Sequence, residues 1–400
     1  MIAELEELDE FRVEVRRWCG EHVPADWVRR MTGVSTLESL DFQRAWLTAL
    51  REGGFAAPHW AAEWTGRDFT LEEQVVIAEE MARARAPRLD FFFVSLYHTY
   101  GLLVASGTEE QRRRHLPAIL NDAEIWCQGF SEPSAGSDLA GLRTRAERRG
   151  DVYVVNGQKV WSTYAMHAHF CLLLARTDPD ASKHRGISYF LLEMRTPGVE
   201  IRPIRDLGGR EEFCELFLTD VEIPVENRIG EENEGWRIAN STLATERSTL
   251  LLMPAEQLRV AFRMLVELAR STPGPGGKPA IEDMGVRRDL AELHAEIENL
   301  RLLINRMLKQ LIRAGGAGPE SSIIKLYYSE LLQRFTRYAT ELGGMATQEL
   351  APLLGAAPYV SGVWEFDFLN SYTWTISAGT NEIQRNIISE QVLGMPREPR

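Results

Sequence analysis

Apolar residues recur at helical spacing at both ends of this chain and in strand-length runs only in its middle. That double change of period restricts the fold more than any other feature. Near the start, Leu8, Phe11, Val15, Trp18 and Cys19 follow one another at three- and four-residue steps, which lays them on one helix face. A second segment carries Leu40, Trp46, Leu47 and Leu50 and stops at Gly53-Gly54. Thr70 with Glu73, and Thr108 with Gln111, have the spacing of capping boxes and mark two more helix starts. Residues 1–125 therefore read as an N-terminal helical domain.

The pattern then shortens. Val152 to Val155, Asn156-Gly157, then Lys159 to Trp161 reads as a strand, a type I′ turn pair and a strand, so a hairpin is expected there. The runs at 170–175, 187–194 and 214–218 also have strand length, with Pro and Gly between them. Residues 126–232 are expected to form a middle domain of β-barrel or sandwich type. The helical period returns after that. Val286, Leu290, Leu293, Ile297, Leu300, Ile304, Met307 and Leu311 form an unbroken narrow seam of the kind that packs in bundles. A second long helix carries Ile324, Leu331, Phe335, Tyr338 and Leu342, beyond a Gly-rich break at 315–319. The segment 271–280, rich in Pro and Gly, is a connection between helices. Residues 233–400 read as a C-terminal domain resembling a four-helix bundle, and the whole as an α+β multidomain chain.

Bulk properties narrow the partners. The 400 residues give ample material for large cores, and 44% hydrophobic with 26% charged residues is an ordinary globular balance. Lys and Arg number 45 against 58 Asp and Glu, for a net charge of −13, which disfavours nucleic acid and anionic membrane as partners. The first residues carry acids and no apolar run, unlike a secretory signal, and no stretch has the ~20 apolar residues of a membrane span. Cys19, Cys127, Cys171 and Cys214 are far apart and form no CxxC pair, as expected of buried reduced thiols in a cytoplasmic protein.

The block 127–144 contains the densest set of small and hydroxylated residues. Gly129, Ala135 and Gly136 let backbone approach a flat ligand, and Ser131, Ser134 and Ser137 supply hydroxyls. Composition alone favours a plain polar loop leading into a strand. At the end of the expected hairpin, Trp161 offers a stacking face and Thr163 a hydroxyl, although a Trp there is also an ordinary core residue.

Order and spacing decide between these readings. Ser131-Glu132-Pro133, Gly136-Ser137-Asp138, Asn156-Gly157, Lys159, Trp161 and Thr163 together resemble the first signature of the acyl-CoA dehydrogenase family. The run 379–394 is similar to the family's last helix, and the helical–β–helical order matches too, so the resemblance spans essentially the whole chain. It implies FAD as cofactor. Gln128, Phe130 and Ser131, with Trp161, Ser162 and Thr163, would wrap the isoalloxazine: Ser131 and Thr163 on its polar edge, Trp161 over one face. Ser137 would sit where flavin and the pantetheine arm of CoA meet. Thr380 and Glu382 open the last helix, where Thr380 would direct backbone N–H groups towards the phosphate-containing part of the cofactor. Gly379 would contact substrate.

The implied reaction removes a proton α to a thioester and passes a β hydride to flavin N5, with electrons leaving through an electron-transfer flavoprotein. The base must be a carboxylate across the substrate from the flavin. A Glu, with a pKa of about 4.3 in water, is raised by exclusion of water towards that task. The family usually places this Glu just before the Gly-Thr of the last motif, and here that position is Ala378. Some members instead carry the base before an Arg on a C-terminal-domain helix, and Thr245-Glu246-Arg247 stands at the matching place. On its own a Glu-Arg pair usually marks a solvated helix face. The apolar neighbours Leu243, Ala244 and Leu250 to Met253 weaken that explanation. Glu246 is thus the expected base, and Arg247 is expected to orient the site or substrate.

Two further departures concern contacts that homotetrameric members make to a neighbour's FAD. Arg270 survives from an Arg-x-x-Phe-Gly loop but its Phe does not, and Thr340 replaces a Gln ahead of Gly343-Gly344, where Gly344 would approach the cofactor. A chain that keeps its own pocket while losing part of its contribution to another resembles the actinobacterial α2β2 heterotetramers acting on steroid side-chain CoA thioesters. A homo-oligomer is the alternative. For function the alternatives are a flavin-dependent acyl-CoA oxidase on the same fold, or an inactive subunit supporting a paralogous partner.

Overall fold

The structure is a computed structural model and describes residues 2–65, 67–240, 252–314, 318–348 and 360–397. It forms two compact units. One comprises Met1–Ser35, Asp68–Arg88 and Arg247–Arg400; the other comprises Thr36–Arg67 and Leu89–Glu246. Both units draw on residues 1–125.

The first unit is helical. Helices Leu252–Ser271, Met284–Ala314, Ser321–Gly343 and Trp364–Ile376 form its bundle. The seam read from the sequence is its core: Leu290, Leu293, Ile297, Leu300, Ile304 and Met307 are buried against Leu258, Leu265, Leu331 and Phe335. The helix Leu71–Arg83 packs Leu71, Val75 and Ala78 on the same core. Its start is a complete capping box, with Glu73 N donating to Thr70 Oγ1 at 3.2 Å and Thr70 N to Glu73 Oε2 at 2.7 Å. Helix Ile2–His22 buries Val15 and Cys19, the latter against Met81.

The second unit is built on a sheet of eight strands: β1 (Trp126–Gly129), β2 (Arg145–Arg149), β3 (Val152–Thr163), β4 (Phe170–Arg176), β5 (Ile187–Glu193), β6 (Val199–Ile204), β7 (Phe213–Pro224) and β8 (Arg228–Ile229). Their order is β6-β7-β3-β2-β4-β5-β8, with β1 added parallel to β4. Two cores lie in this unit. Cys127, Val155, Cys171, Phe190, Leu216 and Ile223 belong to one of them. Leu172, Leu174, Tyr189 and Leu191 belong to the other, with Leu40, Leu47, Leu103, Leu116 and Ile119 from the helices. The second capping box is also present, at Thr108 and Gln111. A π-helical turn, Val94–Thr99, is tied to the sheet by Trp126 N, which donates to Ser95 Oγ at 2.9 Å. Helices flanking a mixed sheet give the α+β architecture that the change of period implies.

The hairpin is not where the sequence puts it. Asn156-Gly157 lies inside one continuous twelve-residue strand, β3, and makes no turn. Asn156 instead pairs its side-chain amide with Asp220 of β7: Nδ2 donates to Oδ1 at 3.0 Å, and Asp220 N donates back to Asn156 Oδ1 at 2.9 Å. The register between β3 and β7 slips there, making a β-bulge. Gly157 is required by crowding, since a Cβ would lie 2.4 Å from Thr144 Oγ1 and 2.7 Å from Thr144 Cα. The actual reversal is at Gly150-Asp151, between the paired residues Arg149 and Val152, with Gly150 at φ 64°. Gly157→Ala is accordingly expected to lower the unfolding free energy by about 1–3 kcal/mol, read from the midpoint of urea unfolding.

No described helix is long and apolar enough to cross a membrane. The four cysteines are buried and free.

Candidate active site

In the sheet unit the block 127–144 is partly strand and partly loop. Strand β1 brings in Gln128, the chain turns inward at buried Phe130, and Ser131 to Ser137 follow as a loop. Glu132 and Ala135 exchange backbone hydrogen bonds of 3.0 Å each, closing a turn over Pro133-Ser134. The loop is then fastened to β3. Val160 N donates to Ser131 O at 2.9 Å. Lys159, fully buried, donates through Nζ to Phe130 O at 3.1 Å and to Glu132 Oε1 at 2.8 Å. The Glu132 carboxylate also accepts the amides of Arg143 at 2.7 Å and Thr144 at 2.8 Å. Burial by itself would raise the Glu132 pKa, but Lys159 and these donors hold it below the ordinary carboxylate value. Burial lowers the Lys159 pKa against the pull of Glu132. A buried ion pair is tolerable when further hydrogen bonds serve both partners, and here Lys159 has a second acceptor in Phe130 O and Glu132 two amide donors.

Past Lys159 the register with β7 slips a second time. Trp161 takes φ 64°, a left-handed value uncommon for a bulky residue, and its side chain is 59% exposed. Its ring meets Phe213 edge-on at 5.9 Å. Ser162 turns back inside, paired with Cys214. Tyr164 is again left-handed, at φ 49°, and its amide donates to Glu212 O at 2.6 Å. Buried Arg210 secures that neighbouring segment by ion pairs to Asp206 at 2.9 Å and Glu212 at 3.0 Å. Strain of this kind persists only where surrounding bonds fix it, and it clusters at functional sites. Two buried polar atoms beside the bulge and on β1, Ser162 Oγ and Gln128 Nε2, have no hydrogen-bond partner among the described residues. An exposed indole face, hydroxyls at Ser131 and Thr163 and two unmet polar atoms fit a flat heteroaromatic group with a polar edge. Ser137 is exposed, next to Asp138, which is ion-paired with Lys183.

A second group of predicted residues lies in the helical unit. The turn Ala378-Gly379 links helix Trp364–Ile376 to helix Asn381–Ile387, and both its residues are left-handed, at φ 53° and 87°. A Cβ on Gly379 would meet Gln384 Nε2 at 2.8 Å. Thr380 caps the last helix, its Oγ1 accepting Ile383 N at 3.3 Å, and Glu382 sits exposed in the first turn. Lys325 donates to Gly379 O at 2.8 Å and Asn381 Oδ1 at 2.9 Å, and Gln384 Nε2 donates to Ala378 O at 2.9 Å and Gly379 O at 3.1 Å. Burial brings the Lys325 ammonium down to about 8, with Glu382 pulling the other way.

Family models for the acyl-CoA dehydrogenase N-terminal, middle and C-terminal domains match residues 5–123, 127–221 and 233–393. The chain belongs to the acyl-CoA dehydrogenase family. Acyl-CoA dehydrogenase IpdE1 of Mycolicibacterium smegmatis is 36% identical over 411 aligned residues, which cover 98% of this chain and 99% of that protein. A solved structure described as the Tcur3481-Tcur3483 steroid ACAD has a chain of 31% identity and TM-score 0.84, with 98% of each chain covered. The ChsE4-ChsE5 complex from Mycobacterium tuberculosis has one of 32% identity and TM-score 0.82, again covering 98% of each.

Within this acyl-CoA dehydrogenase the predicted residues fall into two sets. Gln128, Phe130, Ser131, Ser137, Trp161, Ser162 and Thr163 are gathered at the β1 loop and the β3 bulge of the sheet unit. Arg270, Gly344, Gly379, Thr380 and Glu382 belong to the helical unit. There Arg270 is exposed and ion-paired with Glu267 at 2.5 Å, and Gly344 ends helix Ser321–Gly343 at φ 56°. Thr340, in the place of the usual Gln, donates to Thr336 O at 3.1 Å. Glu246 and Arg247 lie outside the described residues.

Two sets of site-building residues were not assigned roles from the sequence. Lys159 and Glu132 entered only as motif letters, although Lys159 shares the strand parity of buried Tyr153 and Val155, which signals an inward lysine needing a partner. Lys325 and Gln384 carry no motif of their own. The one hint is a lone lysine in the otherwise uncharged stretch 321–328.

Proposed function

We propose that this chain dehydrogenates an acyl-CoA thioester at its α,β bond with bound FAD, and that its acyl group is branched or cyclic, of the steroid-derived kind. Members of this family generally use FAD. The observation that best supports the reading is the strained, outward Trp161 beside a loop fastened by the buried Lys159–Glu132 pair. Gln128, Phe130 and Ser131 on one side, and Trp161, Ser162 and Thr163 on the other, would hold the flavin ring. Ser137 would lie at its junction with the pantetheine arm, and Thr380 and Glu382 near the rest of the cofactor.

Glu246 takes the α proton, with Arg247 orienting the thioester and Gly379 contacting it. Bound FAD supplies the acceptor for the hydride that leaves the β carbon, so the substrate loses one proton and one hydride and gains a C=C bond. The reading requires that bound substrate exclude water from the base, since a carboxylate cut off from water gains proton affinity towards that of the activated α position. Electrons leave through an electron-transfer flavoprotein. Ala378 supports a bulky acyl group because it puts a methyl where the usual members carry a carboxylate arm. The steroid ACAD and the two-component complexes among its structural relatives support the same substrate class and a paralogous partner subunit. The altered positions Thr340 and 271–274 agree with a partner completing the FAD sites.

The test is anaerobic addition of acyl-CoA thioesters to the purified protein, made alone and together with a paralogous subunit. A steroid side-chain thioester is expected to bleach the flavin fastest, with slow reoxidation in air and rapid reoxidation by electron-transfer flavoprotein. Absence of bleaching with every thioester would overturn the dehydrogenase reading. Fastest bleaching by butyryl-CoA would overturn the substrate class, and immediate reoxidation by air would make the protein an oxidase.

A further inference from the structure

Strand β1, which delivers the chain to the loop 130–137, is short and held at its entry by few groups. Among the described strands it pairs in the sheet with β4 alone. Two side chains secure the backbone where it begins: Ser95, which accepts Trp126 N, and His169, whose Nδ1 accepts Ile125 N at 2.9 Å. His169 also donates its own amide to Ile125 O at 2.7 Å, and its carbonyl accepts Met194 N at 2.9 Å. Ile125 is fully buried, so its amide hydrogen has no water to turn to.

The donor in this pair settles the state of the ring. A backbone N–H can only give a hydrogen, so Nδ1 must offer its lone pair, and the proton of the neutral imidazole lies on Nε2. A second proton can enter only at Nδ1, the atom that Ile125 already occupies. The imidazolium and the Ile125 bond therefore exclude each other, because protonation sets two donors face to face in a buried place. Charges reach the ring from three elements: Arg44 from helix Thr36–Glu52, Asp122 and Glu124 from the turn ahead of β1, and Arg195 from just past β5. Burial, and after it Arg195, holds the His169 pKa below its ordinary value of 6.5, although Glu124 pulls the other way. A histidine depressed by the fold supports the folded arrangement above about 6.5 and withdraws that support as the pH falls below it.

We propose that His169 is a proton-operated latch: a proton at Nδ1 breaks the bond from Ile125 N, frees the entry of β1 and loosens the segment from Gln128 to Ser137. Its effect on the cofactor rests on the reading of Gln128, Phe130 and Ser131 as flavin contacts; the latch itself does not. Neighbouring histidines are bound differently. His115 is bonded to Glu124 Oε2 at 2.8 Å, and His167 meets Phe91 edge-on at 5.6 Å. His59 is bonded to Leu96 O at 3.1 Å, and burial pushes it down to about 4, below the range in which His169 acts. The consequence is a protein that holds its flavin at neutral pH and releases it in mild acid through local opening of one strand.

The experiment follows β1 and not overall unfolding. Purified flavin-loaded protein is placed at pH values from about 8 to about 5, and deuterium uptake of the peptide covering residues 124–131 is measured together with flavin released into the filtrate. His169→Asn keeps an oxygen where Nδ1 stood, so it accepts Ile125 N but takes no proton. Below about 6.5 the β1 amides of the unaltered protein are expected to exchange faster than those of the Asn variant at the same pH, by up to about 10-fold per pH unit, with flavin release rising in step. At about pH 8 the two proteins are expected to agree. Arg195→Gln, at an exposed position, removes a cation from beside the ring; the onset is expected to move to higher pH, and this variant serves if the Asn variant does not fold. Identical pH profiles for the unaltered protein and the variants would overturn the latch. Faster β1 exchange with no release of flavin would overturn its link to the cofactor. A purified protein that carries no flavin would instead overturn the flavin reading, and the exchange comparison would still decide the latch.

Discussion

Glu246→Gln is expected to leave a yellow protein, still loaded with FAD, whose flavin acyl-CoA bleaches about 10²–10⁴ times more slowly. The amide keeps the size and hydrogen-bonding reach of the carboxylate but cannot accept a proton at neutral pH, so the loss isolates proton removal. FAD content, read from the ratio of flavin to protein absorbance, is expected to stay constant, because the residues assigned to the flavin ring lie in the β1 loop and the β3 bulge. Glu246→Asp keeps the charge but withdraws it by about one C–C bond length, and a displacement of about 1 Å at the reacting centre costs on the order of 10² in rate. The size of the effect discriminates. A solvated surface carboxylate would change the rate by less than a factor of a few, and so would an acid that merely pairs with Arg247. A rate of anaerobic bleaching within about 10-fold of the unaltered enzyme would remove Glu246 as the base. Ala378 cannot replace it, so the base would then have to be sought elsewhere.

The second large effect is structural. Lys159→Met is expected to destabilise the protein by about 3–5 kcal/mol, the cost of stranding one member of a buried pair. Glu132 is left charged and buried, without its cation, while the amides of Arg143 and Thr144 still donate to it. The same substitution frees Phe130 O and loosens the loop that carries Ser131 and Ser137 from β3. FAD retention should therefore fall with stability, a coupling not expected of core substitutions elsewhere in the sheet. Adding Glu132→Gln removes the stranded charge, and most of the lost stability should return in urea unfolding even though the flavin is still held poorly. If the single variant unfolds within about 1 kcal/mol of the unaltered protein, the pair is a minor support and the loop is held by its backbone bonds.

Much of the architecture can be read from the chain, and the exceptions have physical causes. The long bundle seam and both capping boxes depend on local spacing, which sequence carries in full. Strands β4 and β5 are almost wholly buried and appear as continuous apolar runs. Strand β2 leaves no such trace: of Arg145 to Arg149 only Ala146 is buried, so its alternation is hidden under arginines. Strand β1 hides for a different reason, being four residues long at the head of a block that reads as loop. Asn156-Gly157 has strong turn chemistry, but Asp220 across the sheet and Thr144 beneath it redirect both residues into a bulge. At the site, the hydroxyls and the indole were legible as motif letters, whereas their supports were not. Glu132 and Lys159 are 27 positions apart, and Lys325 and Asn381 are 56 apart, so each pairing exists only after the chain has folded.

The helical unit is assembled from three separated lengths of chain, and this gives synthesis a direction-dependent delay. The helix Leu71–Arg83 emerges from the ribosome long before Leu252–Ser271 and Ser321–Gly343, with which it shares a core. At translation speeds of about 5–20 residues per second, the first of those later helices follows on the order of 10–30 s afterwards. Throughout that interval the sheet unit can close around residues 36–67 and 89–246, while the apolar stripe of Leu71, Val75 and Ala78 has no cover. The early helices must therefore be shielded or kept apart from their neighbours on a polysome until the last third of the chain arrives. A message truncated before that point would release a protein with a finished sheet and a sticky helical remnant.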